Sequence, residues 1–374
     1  MPETITTKSR LFQNYARRPI ELVKGQGTKV WDAEGNEYLD FIAGIAVLAL
    51  GHANPQINAT LREQSEKLWH VSNLFESSGQ ERLAELLTEG THFEHAFFCN
   101  SGAEANEAAI KLARRHTGKH HIITFTNSFH GRTFGAMSAT GQDKIQNGFG
   151  PLVSKFTHVP FNDSEALKAA VTEDTAAIML EIVQGEGGVN PTTPEFAATI
   201  QQLCDDNGIL LIVDEVQTGI GRTGTRYAYE QTVLKPDIVS LAKGLGGGFP
   251  IGAILGTAEV GVSLTPGSHG TTYGGNALGV AVSHTVVSTV FKPAFLQEVK
   301  EKAAYLADKL SAKYEVRGMG LLMGLVVGDS AAFAADMQAK SLLVVPAGPS
   351  VVRLLPPLNV SYEELDQAAA ILLA

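Results

Sequence analysis

Residues 209–215 read Ile-Leu-Leu-Ile-Val-Asp-Glu, and residues 237–248 read Asp-Ile-Val-Ser-Leu-Ala-Lys-Gly-Leu-Gly-Gly-Gly. Each is a short aliphatic, β-branched run that leads to a charged group. Near-continuous runs of this kind predict strands, Ile209–Val213 and Asp237–Ala242, buried on both faces, because a half-wet strand would alternate. In open α/β sheets, ligands sit outside the carboxyl ends of strands. Asp214-Glu215 and Lys243 stand at such ends. A lone acid there also reads as a helix cap or a solvated carboxylate. A lone lysine beside Gly244–Gly248 also reads as a surface cation on a flexible loop, the commoner state for lysine. The chemical alternative is that burial lowers the amine pKa of Lys243 and frees its lone pair for a Schiff base with a cofactor carbonyl.

The same rhythm extends on both sides. His95–Asn100, His121–Thr126, Ala176–Val183 and Gly252–Leu255 read as strands; Ala103–Arg115 and Thr193–Asp206 read as helices. Strands alternating with helices predict an α/β fold with a mostly parallel central sheet and helices on both faces. The chain ends differ. Lys29–Asp40 alternates like a hairpin with Glu34-Gly35-Asn36 as its turn. Ala277–Lys313 is a long helical stretch, Gly318–Val327 and Leu342–Leu355 look like strands, and Ser361–Leu373 like a terminal helix. The expected organisation is an N-terminal segment 1–61, a large domain 62–275 and a C-terminal part 276–374, with the two ends forming one smaller α+β domain.

Composition narrows the partners. The chain has 374 residues, 44% of them hydrophobic, and a net charge of −10. That charge argues against nucleic acid or an anionic membrane as partner. Two cysteines, Cys99 and Cys204, rule out a disulfide framework and fit a reducing compartment. No apolar run reaches the ~18 residues of a spanning helix. Met1–Pro19 is polar, without an apolar signal core, so cytoplasm is the default expectation. No metal-ligand spacing appears, since H-E-x-x-H is absent.

Further candidates lie at other strand ends. Ser101-Gly102-Ala103-Glu104 opens a helix and fits a capping box. Its free N–H groups and positive dipole end also suit a phosphate. In Ser128–Thr133, Phe129 could stack on a planar ring and Arg132 could grip a carboxylate; core packing and a surface cation are equally good readings. Glu186 lies in the loop of Glu181–Gly188, and Thr271-Thr272 offer adjacent hydroxyls before a helix; both also read as turn chemistry. Gly219–Gly224 matches G-x-G-x-x-G. It lies several residues past its strand, with no acid ~20 residues on, so it reads as a glycine-rich loop.

Taken together, these residues resemble the fold-type I, class III (ornithine-type) aminotransferases, which use pyridoxal 5'-phosphate. The resemblance runs from Gly25–Pro55, with Tyr38-Leu39-Asp40-Phe41 and Gly51-His52, to Arg353–Asn359. It is most specific over Leu211–Ile251; Cys99–Ala109, Phe129–Thr133 and Val183–Gly188 add to it. It implies that Lys243 forms the Schiff base and acts as the base of the proton shift, and that Asp214 pairs with the pyridine nitrogen. Ser101, Gly102 and Ala103 would hold the phosphate, with Thr272 of the partner subunit. Phe129 would stack on the ring, and Val216 and Gln217 would flank it.

Within the family, the likeness is to members that move the δ-amino group of N2-acetylornithine to 2-oxoglutarate in arginine biosynthesis. For them Arg132 would grip the α-carboxylate of the donor, and Arg353 that of 2-oxoglutarate or glutamate. Glu186 would pair with Arg353 while the donor is bound, and Thr271 of the partner subunit would touch substrate. A shared site implies a homodimer. Ile45 stands where ornithine aminotransferases carry a tyrosine that meets a free α-amino group, which favours N-acylated donors, although 4-aminobutyrate enzymes are similar there. Leu48 replaces a residue that is usually polar or small. Three other readings remain at this point. One is a related transaminase for ornithine, succinylornithine, succinyldiaminopimelate or 4-aminobutyrate, or an aminomutase. The others are a non-catalytic protein of the same fold and a dinucleotide dehydrogenase.

Overall fold

The computed structural model describes residues 9–374; the start of the expected 1–61 segment lies outside the described residues. Seven strands form the central sheet, in the order His95–Cys99, Gly252–Gly256, Ile238–Leu241, Leu210–Asp214, Thr175–Leu180, His121–Phe125, Phe156–Val159. Only Gly252–Gly256 runs against its neighbours; the other pairings are parallel. The inner strands have no wet face: Leu210–Asp214, Ile238–Leu241 and Thr175–Leu180 are buried at every position. That explains their unbroken aliphatic sequence, each fully buried side chain adding about 1.5–3 kcal/mol. Phe156–Val159 was not foreseen. It is a four-residue edge strand whose Thr157 and His158 interrupt the apolar run.

The helix Gly102–Thr117 follows the first strand. Ala105, Ala108, Ala109, Leu112 and Ala113 face inward, small residues that let it lie close to the sheet. The helix Pro194–Asn207 is capped by the Thr193 hydroxyl and ends at Gly208 in the left-handed region, φ 58°.

The chain ends meet. The Lys29–Asp32 and Glu37–Asp40 hairpin forms as expected, joined by Leu22–Gln26 on one side. On its other side Leu342–Leu343 pairs in parallel with Leu39-Asp40. A second small sheet joins Val316–Met319, Leu322–Val326, Val351–Leu354 and Val345–Pro346. Three expectations are corrected. Ala277–Lys313 is two helices, Ala277–Val290 and Pro293–Ser311, bent by 70° where Pro293 starts the second. Gly318–Val327 is a hairpin turning at Gly320, φ 57°. Leu342–Leu355 is three short strands rather than one, and a helix, Ser330–Ala339, precedes them. No single helix among the described residues is long and apolar enough to cross a membrane.

Candidate active site

The parallel strands Leu210–Asp214 and Ile238–Leu241 place Asp214 opposite Ser240. Lys243 follows three residues later, so sheet register alone brings the acid and the lysine to one edge. Both line a cavity of about 450 Å³, together with Ser101, Gly102, Ala103, Phe129, Arg132, Val216 and Gln217. Lys243 itself has φ 43°, a left-handed conformation that side chains seldom adopt. The short 3₁₀ turn Lys243–Gly246 holds it there, with the Leu245 N–H donating to the Ala242 carbonyl at 2.9 Å. Burial, then the charge of Arg353, pushes the Lys243 amine down to about 8, against the pull of Glu186, Asp214 and Glu181.

Asp214 is almost fully buried and accepts three hydrogen bonds. His130 Nδ1 and Asn106 Nδ2 each donate to Oδ2 at 2.8 Å, and the Val216 N–H donates to Oδ1 at 3.0 Å. Burial disfavours a charged His130, yet its bond to Asp214 and the charges of Asp214 and Glu181 outweigh this and raise its pKa. The result is a buried acid held by three donors, with the protonated form of His130 favoured by its neighbours. Glu181, also on the cavity wall, is raised by burial, while its Oε2 accepts the Phe129 N–H at 3.1 Å.

At the helix start, the Ser101 hydroxyl accepts the Glu104 N–H at 3.2 Å. The return bond differs from the expected capping box. Glu104 reaches one residue further, to the Asn100 N–H at 2.6 Å and its side-chain amide at 2.9 Å. The Gly102 and Ala103 N–H groups have no partner among the described residues and open the helix beside the cavity. Gly102 has to be glycine, since a Cβ there would lie 2.7 Å from Val216 Cγ1.

Arg353 is fully buried and donates through Nη2 to Glu186 Oε1 at 2.8 Å and through Nη1 to Gln217 Oε1 at 2.7 Å. Despite its burial, Glu186 is held below the usual carboxylate range by Arg353 and Lys243. Neither Glu186 nor Arg353 lines the cavity; Gln217, which does, links them to it. Arg132 is exposed, its guanidinium 5.7 Å from the centroid of the Phe129 ring. Thr271 and Thr272 do not line the cavity within one protomer, although Asn100 Nδ2 donates to Thr271 Oγ1 at 3.0 Å.

Four residues at the site carried no assigned role in the sequence reading: Asn100, Asn106, His130 and Glu181. Glu181 stands just past the end of the buried strand Thr175–Leu180, the same signal that marked Asp214. His130 adjoins Phe129 in sequence, but nothing there shows that it turns toward residue 214. The Gly219–Gly224 loop is structural. Arg222 is buried and donates to the carbonyls of Leu321 and Pro356 at 3.1 and 2.6 Å, and a side chain at Gly221 would run into Val290. No cluster of three or more metal-ligating side chains occurs among the described residues.

Residues 12–374 match the family Aminotransferase class-III. An acetylornithine aminotransferase of Bacillus cereus is 53% identical over 372 residues, covering 97% of this chain and 96% of its own. One from Halalkalibacterium halodurans is 55% identical over 368 residues, covering 96% of each. Among solved structures, the N-acetylornithine aminotransferase from Stenotrophomonas maltophilia superposes with a TM-score of 0.84 at 39% identity, covering 96% of this chain and 95% of that one. The ornithine aminotransferase from Toxoplasma gondii, described with partial occupancy of pyridoxal phosphate at its active site, gives 0.92 at 33% identity, covering 97% and 91%. This chain belongs to the class-III aminotransferases, and its α/β architecture is the fold-type I arrangement.

The residues present fit pyridoxal phosphate. The two unbonded N–H groups at Gly102 and Ala103 offer an anion site at a helix start. A Cβ at Gly102 would close the gap to Val216. Lys243 and the buried Asp214 line the same cavity.

Proposed function

We propose that this protein transfers the δ-amino group of N2-acetylornithine to 2-oxoglutarate, giving N-acetylglutamate 5-semialdehyde and glutamate, as a ping-pong transaminase of arginine biosynthesis. The single observation that carries the reading is the adjacency of Lys243 and Asp214 at the head of a cavity that begins at a helix N-terminus. The acetylornithine aminotransferases that match nearly the whole chain support the donor.

Pyridoxal 5'-phosphate, when bound, supplies an aldehyde for the amino group and a ring that spreads the charge left when a carbon-bound proton is removed. Ser101 and the Gly102 and Ala103 N–H groups would hold its phosphate, joined by Thr272 of the partner subunit. Phe129 would stack on its ring, and Val216 and Gln217 would flank it, since all three line the cavity. Asp214, held by His130, Asn106 and the Val216 N–H, would pair with the ring nitrogen and keep it protonated. Lys243, its amine made less basic by burial, would serve as the base that takes the proton from the donor's Cδ.

Two cations sort the carboxylates. Arg132, at the exposed mouth, takes the α-carboxylate of the donor. Arg353 is masked by Glu186 while the amine donor is bound. It takes the α-carboxylate of 2-oxoglutarate once that mask moves aside. Thr271 of the partner subunit completes the donor site, so the working unit is a homodimer, and we place it in the cytoplasm.

The test is kcat/KM for N2-acetylornithine, ornithine, N2-succinylornithine, succinyldiaminopimelate and 4-aminobutyrate with 2-oxoglutarate as acceptor. The reading expects N2-acetylornithine to lead. A lead for ornithine or 4-aminobutyrate would replace the substrate assignment and leave the family intact.

A further inference from the structure

The segment just after the N-terminal hairpin adopts an unusual backbone. Ala43, Gly44, Ile45 and Ala46 are consecutive left-handed residues, with φ of 48°, 64°, 65° and 62°. Only glycine takes this region freely, and a β-branched residue such as Ile45 is a clear outlier there. A run of this kind persists only where the surroundings over-determine it.

Here the surroundings converge on Asp40. Its Oδ1 accepts the N–H groups of Ile42 and Ala43 at 2.9 and 3.0 Å, capping the turn. Its Oδ2 lies 2.7 Å from His52 Nε2. His52 is locked in turn: it exchanges two backbone bonds with Gly27, at 2.8 and 2.9 Å. Its ring occupies the space a side chain at Gly25 would need, since a Cβ there would lie 2.6 Å from His52 Cγ. The Phe41 carbonyl, one residue past Asp40, accepts the Leu355 N–H at 2.7 Å, just after Arg353.

The turn ends at the cavity. Val47 is on its wall, and Leu48 lies against the loop that follows Lys243, where a Cβ at Gly248 would come within 3.1 Å of Leu48 Cδ2. This wall is apolar. A cationic α-nitrogen against it would lose water without gaining a partner, whereas an uncharged acylated nitrogen loses little.

We propose that Asp40 and His52 are positioning residues for donor selection: they hold the left-handed turn that sets the Val47–Leu48 wall, which favours donors whose α-nitrogen carries no charge. The proposal rests on the transaminase reading above. It predicts a defect that falls first on the amine donor, because Asp40 and His52 do not line the cavity themselves and act on it through the turn that ends at Val47.

The experiment compares Asp40→Ala, His52→Ala and Asp40→Asn with the wild-type holoenzyme. The readouts are kcat and KM for N2-acetylornithine, ornithine and glutamate, with cofactor content and thermal unfolding measured alongside. For both alanine variants the N2-acetylornithine-to-ornithine ratio of kcat/KM should fall by about tenfold or more, mainly through KM, with glutamate KM and cofactor content within about twofold. Asp40→Asn keeps an oxygen for both N–H groups and should retain the ratio within about threefold. A ratio unchanged in both alanine variants, or a loss spread equally over donors and glutamate, overturns the proposal. If Asp40→Ala does not fold, His52→Ala against Asp40→Asn decides the same question. A wild-type enzyme that ignores N2-acetylornithine would sink the parent reading instead; the donor-against-glutamate KM split still tests this one.

Discussion

His130 donates from Nδ1 to Oδ2 of Asp214 across 2.8 Å, with both side chains buried. Burial works against a charged His130, but its bond to Asp214 and the charges of Asp214 and Glu181 raise its pKa, while Asn106 and the Val216 N–H donate to the same carboxylate. Asp214→Asn removes the charge while keeping the shape. It should lower kcat by about 10²–10³ with cofactor content retained. His130→Ala leaves the buried Asp214 one hydrogen-bond donor short and should cost about 1–3 kcal/mol in a urea melt. Wild-type turnover in Asp214→Asn would end the role given to the acid.

Lys243 has an amine pKa pushed down to about 8, and only its neutral form attacks an aldehyde. The rate at which cofactor loads into the stripped protein should therefore rise with pH and level off above about 8. Arg353→Met removes one of the causes and should move that midpoint upward. Lys243→Ala should abolish turnover; retained wild-type turnover in that variant would exclude the mechanism.

Arg353 is fully buried, and Glu186 is the acid that pairs with it. Glu186→Ala strands the cation and should destabilise the protein by about 3–5 kcal/mol. A dicarboxylate can supply the missing charge, so 2-oxoglutarate should raise Tm more in Glu186→Ala than in wild type. Equal shifts in the two proteins would argue that Arg353 does not meet the keto acid.

Glu215, buried beneath the site, is pushed up to about 7, and its Oε1 accepts the Tyr229 N–H at 2.8 Å. A carboxyl raised in the fold binds more protons than in the unfolded chain between pH 4.5 and 7, so its contribution falls as pH rises through that window. The same sign holds for His130, whose raised pKa gives stability that is full below 6.5 and is lost as pH rises through the folded value. Glu215→Gln should narrow the difference in unfolding free energy between pH 5 and pH 8 by up to about 3 kcal/mol. An unchanged pH profile would count against the raised pKa.

Gly102→Ala places a methyl 2.7 Å from Val216 Cγ1. The phosphate site at the helix start should then weaken, with cofactor Kd rising about tenfold or more, and the clash itself should cost about 1–3 kcal/mol of stability. Unaltered affinity would detach the helix start from cofactor binding.

The central sheet was legible because strands buried on both faces must be aliphatic throughout; that signal found Leu210–Asp214 and Ile238–Leu241. It failed for Phe156–Val159, an edge strand that mixes Thr157 and His158 with apolar residues. The bend at Pro293 was in principle readable, since proline lacks the N–H a continuous helix needs. The left-handed turn at Ala43–Ala46 was not, because alanine and isoleucine carry no preference for that backbone.

Local chemistry written along the chain determined which groups end strands: the acid at 214, the amine at 243, the small residues that open a helix at 102. Those features depend on residues near one another in sequence, so the sequence alone carries them. What surrounds these groups was decided by the tertiary structure. His130 and Asn106 meet Asp214 across 84 and 108 positions, and Arg353 reaches Glu186 across 167. Contacts at such separation arise only when the sheet is assembled, because strand order and register, rather than neighbouring residues, choose which side chains share a buried site.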